Sequence, residues 1–234
     1  MNVRVFAVRM PETGEAKQES PAAQIERWKQ RVPDERRARI VRYRHWEDQW
    51  RSLAGDMIVR RVLRDSYGVT DERLPIGRNA FGKPEIEGGI VQFNVSHSGA
   101  WTVAAFHGES SVGIDIERIG PADMAVAKSM FARREYEALR DAPDELRDDL
   151  FYRIWSGKES YIKAVGGGLS IPLDSFIALP DGSSEQTCLL KPDGSVNRDW
   201  TLRGYAFDPE YALTVCAAEP CFSEKVDKLD ARSL

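Results

Sequence analysis

Two closely spaced carboxylates stand out in the segment VGIDIE, residues 112–117. On a strand, alternation places Asp115 and Glu117 on one face together with Gly113. The two carboxylates then lie roughly 6–7 Å apart, and like charges at that spacing repel each other unless a cation or solvent lies between them. Glycine weakens a strand, so Gly113 on this face indicates that another element approaches its backbone closely. The pattern fits a cation site, and equally an exposed strand face with two solvated acids.

A second acidic position comes from the segment WSGKESYIK, residues 155–163. On a helix, Glu159 and Lys163 lie one turn apart on a single face. They form either a simple intrahelical ion pair or, if this face meets Asp115 and Glu117, the remainder of a site with three carboxylates. Oxygen-only ligands suit Mg²⁺ or Mn²⁺ better than zinc, and Mg²⁺ commonly completes its shell with phosphate and water.

The strongest local charge feature is the basic segment RRARIVRYR, residues 36–44, which is followed by Arg51. Such a run is either a solvated helix face or a binding site for a compact polyanion, because guanidinium groups bind phosphate in a bidentate manner. The arginines of the run are Arg36, Arg37, Arg39, Arg42 and Arg44.

The stretch GRNAFGKP, residues 77–84, matches a phosphate-binding P-loop except at its last position. Pro84 stands where a Ser or Thr hydroxyl should bind Mg²⁺, and proline also lacks the N–H that a helix start would aim at phosphate. A nucleotide-dependent kinase is therefore disfavoured. The sequence instead predicts a tight turn that leads into an edge strand, with Lys83 either solvated or presented to an anion.

The segment FNVSHSG, residues 93–99, contributes Ser96 and His97. Neighbouring strand residues point to opposite faces, so these two are not a nucleophile and its base. The sequence also lacks a GxSxG motif, which argues against a serine hydrolase. Hydrogen bonding to a phosphate is the better interpretation of this pair.

The surrounding pattern predicts an α+β protein with two similar halves, residues 1–118 and 119–234. A long helix from Pro143 to the glycines at 166–168 is expected to bury a stripe of apolar residues. That stripe comprises Leu146, Leu150, Ile154, Tyr161 and Val165. Strands are expected at 2–9, 83–91, 91–97, 101–106, 111–118 and in four segments after residue 175, and a further helix at 47–66 should end near Gly68.

The composition is that of a globular protein of 234 residues, with 42% hydrophobic and 30% charged residues. The net charge of −4 argues against nucleic-acid binding. No apolar run is long enough to span a bilayer, and three cysteines suit neither a disulfide framework nor a zinc site. We therefore expect a cytoplasmic protein without a membrane partner.

Taken in order, FGKP, FNVSHSG, GIDIE and WSGKESYIKAVGGGLSIPL resemble motifs of the 4′-phosphopantetheinyl transferases of the surfactin-synthetase-activating (Sfp) type. The basic segment is similar to that family's N-terminal region, and the resemblance covers about residues 33–218. It implies a pseudo-dimeric fold of two α+β halves, a monomer, with coenzyme A in the cleft between the halves. It also implies an enzyme that transfers phosphopantetheine from coenzyme A to a serine of apo acyl or peptidyl carrier proteins.

The resemblance also implies roles for individual residues. Mg²⁺, or alternatively Mn²⁺, would be held by Asp115, Glu117 and Glu159, and Lys163 would contact the pyrophosphate. The base is either Glu159 or a water positioned by Glu135. Residues expected to contact coenzyme A are Lys83, Ser96, His97, Arg51 and Ser52, with Arg36, Arg37 and Arg39 standing where the family usually has lysines.

Two questions stay open at this level. A binding module that has lost catalysis is the non-enzyme alternative, and the intact acidic motifs argue against it. The apolar residues of the segment 119–136, among them Met124 and Met130, either seal the core or form a docking patch for the carrier.

Overall fold

The computed structural model describes the chain except for residues 1, 12–18, 71–75, 80–81, 87, 181–185 and 220, and without the side chain of residue 169. Its strands are β1 (Val3–Arg9), β2 (Ile76–Arg78), β3 (Pro84–Ile86), β4 (Gln92–Ser98), β5 (Trp101–His107), β6 (Val112–Arg118), β7 (Gln186–Leu190), β8 (Val196–Gly204), β9 (Tyr211–Ala217) and β10 (Phe222–Leu229). Its helices are α1 (Pro21–Lys29), α2 (Asp34–Ile40), α3 (Trp46–Tyr67), α4 (Met124–Met130), α5 (Arg133–Asp141) and α6 (Asp144–Val165), with short 3₁₀ turns at Gly168–Ser170, Leu173–Ser175 and Ala231–Ser233.

Two four-stranded sheets organise the chain. The first has the strand order β10-β1-β5-β4 and the second the order β6-β9-β8-β7, while β2 and β3 form a separate hairpin. Strand β1 is parallel to β10, and the other pairs are antiparallel. Helices pack on each sheet, so the α+β fold with two halves is confirmed.

Strand pairing differs from that of two separately paired halves, 1–118 and 119–234, since two pairs of strands cross this expected boundary. Strand β6, placed by that expectation at the end of the first half, pairs with β9 along its whole length in the second sheet. Strand β10, which the sequence pattern did not predict, crosses back to pair with β1. Both differences arise because pairing between strands distant in sequence leaves no local signal.

The two sheets pack face to face through alternating aliphatic residues. On β6 the inward residues are Val112, Ile114 and Ile116, all fully buried in one cluster with residues of β1, β5 and β9. The predicted alternation of this strand is therefore confirmed, and its opposite face carries Gly113, Asp115 and Glu117. That opposite face turns toward α6, which makes extensive contact with β6.

Helix α6 begins after Pro143 and ends at Gly166, whose φ of 78° supplies the left-handed cap that glycine adopts at little cost. Both predicted ends are confirmed. The predicted apolar stripe is wrong at its two ends, because Leu146 and Val165 are 56% and 41% exposed. The helix instead buries small and polar residues against β6 and the segment 173–178, including Ser156, Gly157, Lys158, Ser160 and Ala164.

Helix α3 matches the predicted helix at 47–66, and its cap Gly68 has a φ of 68°. It packs its apolar face, with Trp50, Leu53 and Met57, on the first sheet. Within the described residues no helix is both long and apolar enough to cross a membrane.

Candidate active site

The contact between β6 and α6 is closest at Gly113. A Cβ atom added there would lie 2.0 Å from the backbone oxygen of Ser160 and 2.3 Å from the backbone nitrogen of Ala164. Any side chain would push the helix off the strand, so glycine is required. The close approach inferred from the sequence is confirmed, and it brings α6 directly alongside the acidic residues of β6.

Asp115 and Lys163 form the ion pair at the centre of this contact. Lys163 Nζ lies 2.5 Å from Asp115 Oδ1, which also accepts a hydrogen bond of 2.9 Å from Ser96 Oγ. Burial raises the pKa of Asp115, and the charge of Lys163 opposes that rise. The other oxygen, Oδ2, is buried and has no hydrogen-bond partner among the described residues. An unsatisfied buried carboxylate oxygen is costly, so Oδ2 is a candidate ligand for a cation.

Glu117 and Glu159 lie close enough to Asp115 to interact with it. Burial raises the pKa of Glu117 to about 7, with further contributions from the negative charges of Asp115 and Glu159. The pKa of Glu159 is also raised by burial and by Asp115, against the opposing effect of Lys163. The structure thus brings the three predicted carboxylates and the predicted lysine into one electrostatic cluster, which we call the carboxylate cluster.

A row of polar side chains on β4 joins the two sheets beside this cluster. Asn94 Oδ1, Ser96 Oγ and Ser98 Oγ accept hydrogen bonds of 3.1, 3.4 and 3.0 Å from the backbone N–H groups of β6 residues 114, 116 and 118. Ser98 also donates to Glu117 Oε2 at 3.1 Å. We call this row the polar ladder; it replaces a backbone ladder between two edge strands. The sequence analysis missed it, although the every-second-residue pattern Asn-x-Ser-x-Ser could have indicated it.

A cavity of about 230 Å³ opens next to β4, between α2, α3 and the β2–β3 hairpin. Its lining includes an excess of cationic over acidic side chains, and we call it the cationic cavity. Five of the residues expected to contact coenzyme A line this cavity: Arg36, Arg39, Arg51, Ser52 and His97. The cations are Arg36, Arg39, Arg51, Arg60 and Arg78, and Ser52, Glu35 and Asp56 also line it.

Several of these arginines are held in place by neighbouring groups. Arg36 Nε lies 2.7 Å from Asp56 Oδ2, and its Nη2 donates to Ser52 Oγ at 2.8 Å. Arg51 pairs with Asp48 at 2.6 Å. Arg39 Nε, in contrast, is buried without a hydrogen-bond partner among the described residues. The cavity therefore contains guanidinium groups that are held by neighbouring side chains, and one N–H donor, Arg39 Nε, without an acceptor among the described residues.

Arg78 and Arg60 were not singled out from the sequence, because both lie outside the basic run of residues 36–44. Arg78 donates to the backbone oxygen of Gly82 at 2.6 Å. Desolvation lowers its pKa, and the positive charges of Arg36 and Arg39 lower it further. Arg37 does not line the cavity; it pairs with Asp34 and donates to the carbonyl of Lys29.

His97 lies on the cavity wall, whereas Ser96 points to the carboxylate cluster, so the predicted opposite orientation of the two side chains is confirmed. Desolvation lowers the pKa of His97, and the charges of Arg51 and then Lys163 lower it further. Lys163 Nζ also lies 3.2 Å from Ser96 Oγ. Strand β4 therefore connects the cationic cavity to the carboxylate cluster.

Lys83 lies elsewhere. Its Nζ donates to the carbonyl oxygens of Val112 and Ala164 at 3.1 and 3.0 Å, at the start of β6 and the end of α6. Burial lowers its pKa to about 8. It lines a separate cavity of about 480 Å³ and not the cationic cavity. The turn around it follows the prediction, since Gly82 has a φ of 87° and Pro84 opens the short strand β3; residues 80–81 of this loop lie outside the described residues.

Glu135 is fully buried near the start of α5. Its Oε2 lies 2.7 Å from Lys158 Nζ and accepts a hydrogen bond from the backbone of Ala132, while its Oε1 accepts one from the backbone of Ala178. Burial raises its pKa, and Lys158 opposes the rise. Both oxygens are thus engaged within the protein. Lys158 was not singled out from the sequence, in which Glu159 and Lys163 of the same segment formed the predicted site.

The carboxylate cluster is suited to a divalent cation, although it is not a preformed cage. Within the described parts of the chain, no three His, Cys, Asp or Glu side chains are arranged to hold a metal ion together. Three mutually repelling carboxylates and the unpartnered oxygen of Asp115 nevertheless offer the all-oxygen donors that Mg²⁺ prefers. The residues therefore fit such an ion.

Two family models match the chain and together span most of it. Residues 111–216 match the 4′-phosphopantetheinyl transferase superfamily, and residues 19–109 match the N-terminal region of 4′-phosphopantetheinyl transferases. The first match begins just before β6, so it covers the second sheet and the acidic residues. The second match covers the basic segment, the cationic cavity and the polar ladder.

Individual relatives agree with the family models. A 4′-phosphopantetheinyl transferase of Bacillus subtilis is 38% identical over 88% of this chain and 91% of its own length. The 4′-phosphopantetheinyl transferase Sfp of Bacillus subtilis (strain 168) is 36% identical over 89% and 92%. The human L-aminoadipate-semialdehyde dehydrogenase-phosphopantetheinyl transferase is 28% identical over 84% and 70%. With a cationic cavity beside an acidic cluster on two sheets, and with these similarities, the chain belongs to the 4′-phosphopantetheinyl transferase family, whose substrate is coenzyme A.

Proposed function

We propose that this chain transfers the 4′-phosphopantetheine group of coenzyme A to a serine hydroxyl of apo acyl or peptidyl carrier proteins, in a reaction that depends on Mg²⁺. The serine oxygen forms a bond to the β-phosphorus of the pyrophosphate. The bond from that phosphorus to the bridging oxygen breaks, and adenosine 3′,5′-bisphosphate leaves. The serine proton passes to a base on the enzyme.

The observation that carries this proposal is the position of Asp115, Glu117, Glu159 and Lys163 in one cluster that β4 connects to a cavity lined by arginines. Coenzyme A has phosphates at two places, the pyrophosphate and the 3′-position of the ribose. A cavity of guanidinium groups beside an acidic cluster with a lysine matches that distribution of charge.

We assign the cationic cavity to the 3′-phosphate end of coenzyme A. Arg36, Arg39, Arg51 and His97 would contact phosphate there, and Ser52 would add a hydroxyl. The unpartnered Nε of Arg39 supports its assignment. Two further residues predicted to bind coenzyme A receive less support: Arg37, which is paired with Asp34, and Lys83, whose Nζ is bonded to two backbone carbonyls.

Asp115, Glu117 and Glu159 would hold Mg²⁺, with Mn²⁺ as the alternative. Bound by these residues, the ion would supply positive charge where negative charge develops on the leaving group. Lys163, already held in the cluster by Asp115, would add a second positive charge at the same oxygens. Ser96 would help to hold the side chains of Asp115 and Lys163 in position, because its hydroxyl contacts both.

We assign the base to Glu159, acting directly or through a water. The family resemblance offers this residue as the base, and its carboxylate lies in the cluster close enough to Lys163 to interact with it. A water held by Glu135 receives less support, since both oxygens of that carboxylate are engaged by Lys158 and by backbone N–H groups.

The carrier would dock beside the carboxylate cluster on the segment 119–136. In the structure Met130 is 43% exposed, while Met124 packs partly against a buried apolar cluster. Arg133 at the start of α5 is also exposed, which would favour an acidic partner surface. We further propose that the enzyme acts as a cytoplasmic monomer, because its two halves supply both the cavity and the cluster within one chain.

The direct test incubates the protein with coenzyme A and an apo-carrier and follows the carrier by intact-mass spectrometry. A mass increase of one phosphopantetheine, dependent on Mg²⁺ and abolished by a chelator, is the expected result. The same assay with the carrier serine changed to alanine should show no increase. Unchanged transfer after complete removal of divalent ions would contradict the metal assignment.

A further inference from the structure

Lys158 and Glu135 form an ion pair from which solvent is excluded, since each side chain is 0% exposed. All donors of the lysine are used: Nζ contacts Glu135 Oε2 at 2.7 Å and donates to the carbonyls of Leu173 and Phe176 at 2.7 and 2.8 Å. The ammonium also lies 4.4 Å from the centre of the Phe176 ring. Lys158 therefore has no free donor for substrate.

The carboxylate of Glu135 is equally occupied. Beyond Lys158, its oxygens accept hydrogen bonds of 2.8 Å from the N–H of Ala132 and 2.6 Å from the N–H of Ala178. A general base needs a lone pair within reach of the transferred proton or of one intervening water. Glu135 offers neither in this arrangement. Its role is better explained by the segments of the chain that it connects.

The pair joins three segments of the second half. Lys158 belongs to α6, Glu135 to the first turn of α5, and the accepting carbonyls to the segment 173–176 that follows α6. The helix is tightly packed beside the pair as well, because a Cβ added to Gly157 would lie 3.3 Å from the side chain of Ala178. On its other side, α6 lies against Gly113 of β6.

The next residue after Lys158 is Glu159, and Lys163 follows one turn later. Each helical residue advances about 1.5 Å, so a small slide or rotation of α6 would move both side chains relative to Asp115 on β6. We propose that the Lys158–Glu135 pair fixes α6 against β6 and thereby positions Glu159 and Lys163, which makes Glu135 a positioning residue and not the base. This inference rests on the proposed function, since it concerns the same reaction.

A buried ion pair suits this task, because removing one partner leaves an uncompensated charge, whereas removing both charges together is commonly tolerated. That asymmetry separates positioning from chemistry. If Glu135 only balances and orients Lys158, removing both charges together should restore part of the kcat that either single change loses. If the Glu135 carboxylate handles a proton or a water, no change at Lys158 can replace it.

The experiment compares Glu135→Gln, Lys158→Met and the double variant with the unchanged protein. Two quantities are measured: kcat and KM of transfer, and the rise in unfolding temperature caused by Mg²⁺ alone. For each single variant we expect kcat to fall at least about tenfold, since a misplacement near 1 Å can cost up to about a hundredfold in rate. The KM for coenzyme A should stay within about twofold, because the cationic cavity lies in the other half.

The double variant should recover part of the lost kcat and of the temperature shift caused by Mg²⁺, because the two charges are removed together while the carbonyls of Leu173 and Phe176 still lack their donor. A folded double variant as slow as Glu135→Gln would overturn the inference, and so would full activity of either single variant. Lys158→Arg keeps the charge. Its kcat should therefore lie between the kcat of the two charge-removing single variants and that of the double variant. If a single variant does not fold, the double variant still decides through its kcat.

The proposed function and this inference fail in different ways. Absence of transfer by the unchanged protein would refute the proposed function. The unfolding temperatures of the four proteins without Mg²⁺ report whether the two charges are coupled, and that comparison does not need transfer activity.

Discussion

The cationic cavity and the carboxylate cluster carry opposite charge and are built differently. The arginines of the cavity are long side chains on helices and a hairpin, and several are anchored by acids such as Asp48 and Asp56. Two acids of the cluster, Asp115 and Glu117, lie on a strand whose backbone contacts α6 directly at Gly113, and the third, Glu159, lies on α6 itself. The first arrangement depends on ion pairs between side chains, while the second depends on direct contact between the backbones of a strand and a helix.

The roles proposed for the two regions place them at different parts of the reaction. Groups far from the reacting phosphorus contribute equally to substrate and transition state, and their loss raises KM. Groups at the pyrophosphate act mostly in the transition state, and their loss lowers kcat. The variants below separate the two behaviours, beginning with the largest expected effect.

Asp115→Ala should lower kcat by at least about a hundredfold, because a central oxygen donor of the cluster is removed where charge develops. Since Lys163 loses its partner as well, Asp115→Asn serves as the control that keeps the shape of the side chain. Turnover is measured at saturating Mg²⁺ in protein shown to be folded by circular dichroism. Near-normal turnover of either variant would remove Asp115 from the metal site.

Lys83→Met tests whether this lysine belongs to the cavity or to the framework. Two carbonyl oxygens, those of Val112 and Ala164, would lose their donor. We expect the free energy of unfolding to fall by about 1–3 kcal/mol, the usual cost of an unsatisfied buried polar group. Denaturant titration measures it, with Lys128→Met on the exposed side of α4 as the control. Unchanged stability together with a raised KM for coenzyme A would instead place Lys83 at the ligand.

Arg39→Gln should raise the KM for coenzyme A about tenfold and spare kcat, which corresponds to the loss of one charge-assisted hydrogen bond. The comparison ligand is 3′-dephospho-coenzyme A, which the variant should use nearly as well as the unchanged enzyme does. Arg64→Gln is the matched control, since Arg64 on α3 lies outside the cavity and pairs with Asp65. A variant that keeps the full preference for the 3′-phosphate would exclude Arg39 from its binding.

The pH dependence of the carboxylate cluster follows from Glu117. Between its ordinary pKa of 4.5 and its raised value of about 7, the folded protein holds a proton that the unfolded chain has released. The contribution of Glu117 to the stability of the metal-free protein is therefore present below pH 4.5 and is lost as the pH rises through about 7.

Metal binding requires the ionised carboxylate, so the Mg²⁺ concentration for half-maximal stabilisation should rise about tenfold between about pH 8 and about pH 6. Thermal unfolding with titrated Mg²⁺ measures this change. Glu117→Gln, which cannot ionise, should flatten the dependence. An equally steep dependence in that variant would assign it to another group.

Met130→Glu should raise the KM for the carrier about fivefold, the size of one modest interface contact, while the KM for coenzyme A stays unchanged. The reason is that a charge would enter an apolar contact outside both the cavity and the cluster. Val196→Glu, at an exposed apolar residue of β8, is the control. If Met130→Glu and Val196→Glu have the same KM for the carrier, the carrier docks away from the segment 119–136.

The sequence by itself determined the features that depend on neighbours along the chain. The alternation of β6, the requirement for Gly113, both ends of α6 and the rejection of a P-loop at Pro84 all follow from local geometry. The motif resemblance added the family and the roles expected of the acids. These predictions agree with the structure and the family matches because strand period, helix caps and side-chain chemistry are fixed within a few residues.

Only the tertiary structure decided which distant groups meet. The pairing of β6 with β9, the return of β10 to β1 and the polar ladder between two edge strands join residues far apart in sequence. The same is true of Lys83, which contacts backbone carbonyls near Gly113, and of Glu135, which is paired with Lys158. A lysine or a glutamate has the same chemistry wherever the chain places it, and its task depends on which partners folding brings within hydrogen-bonding distance and how much water folding removes.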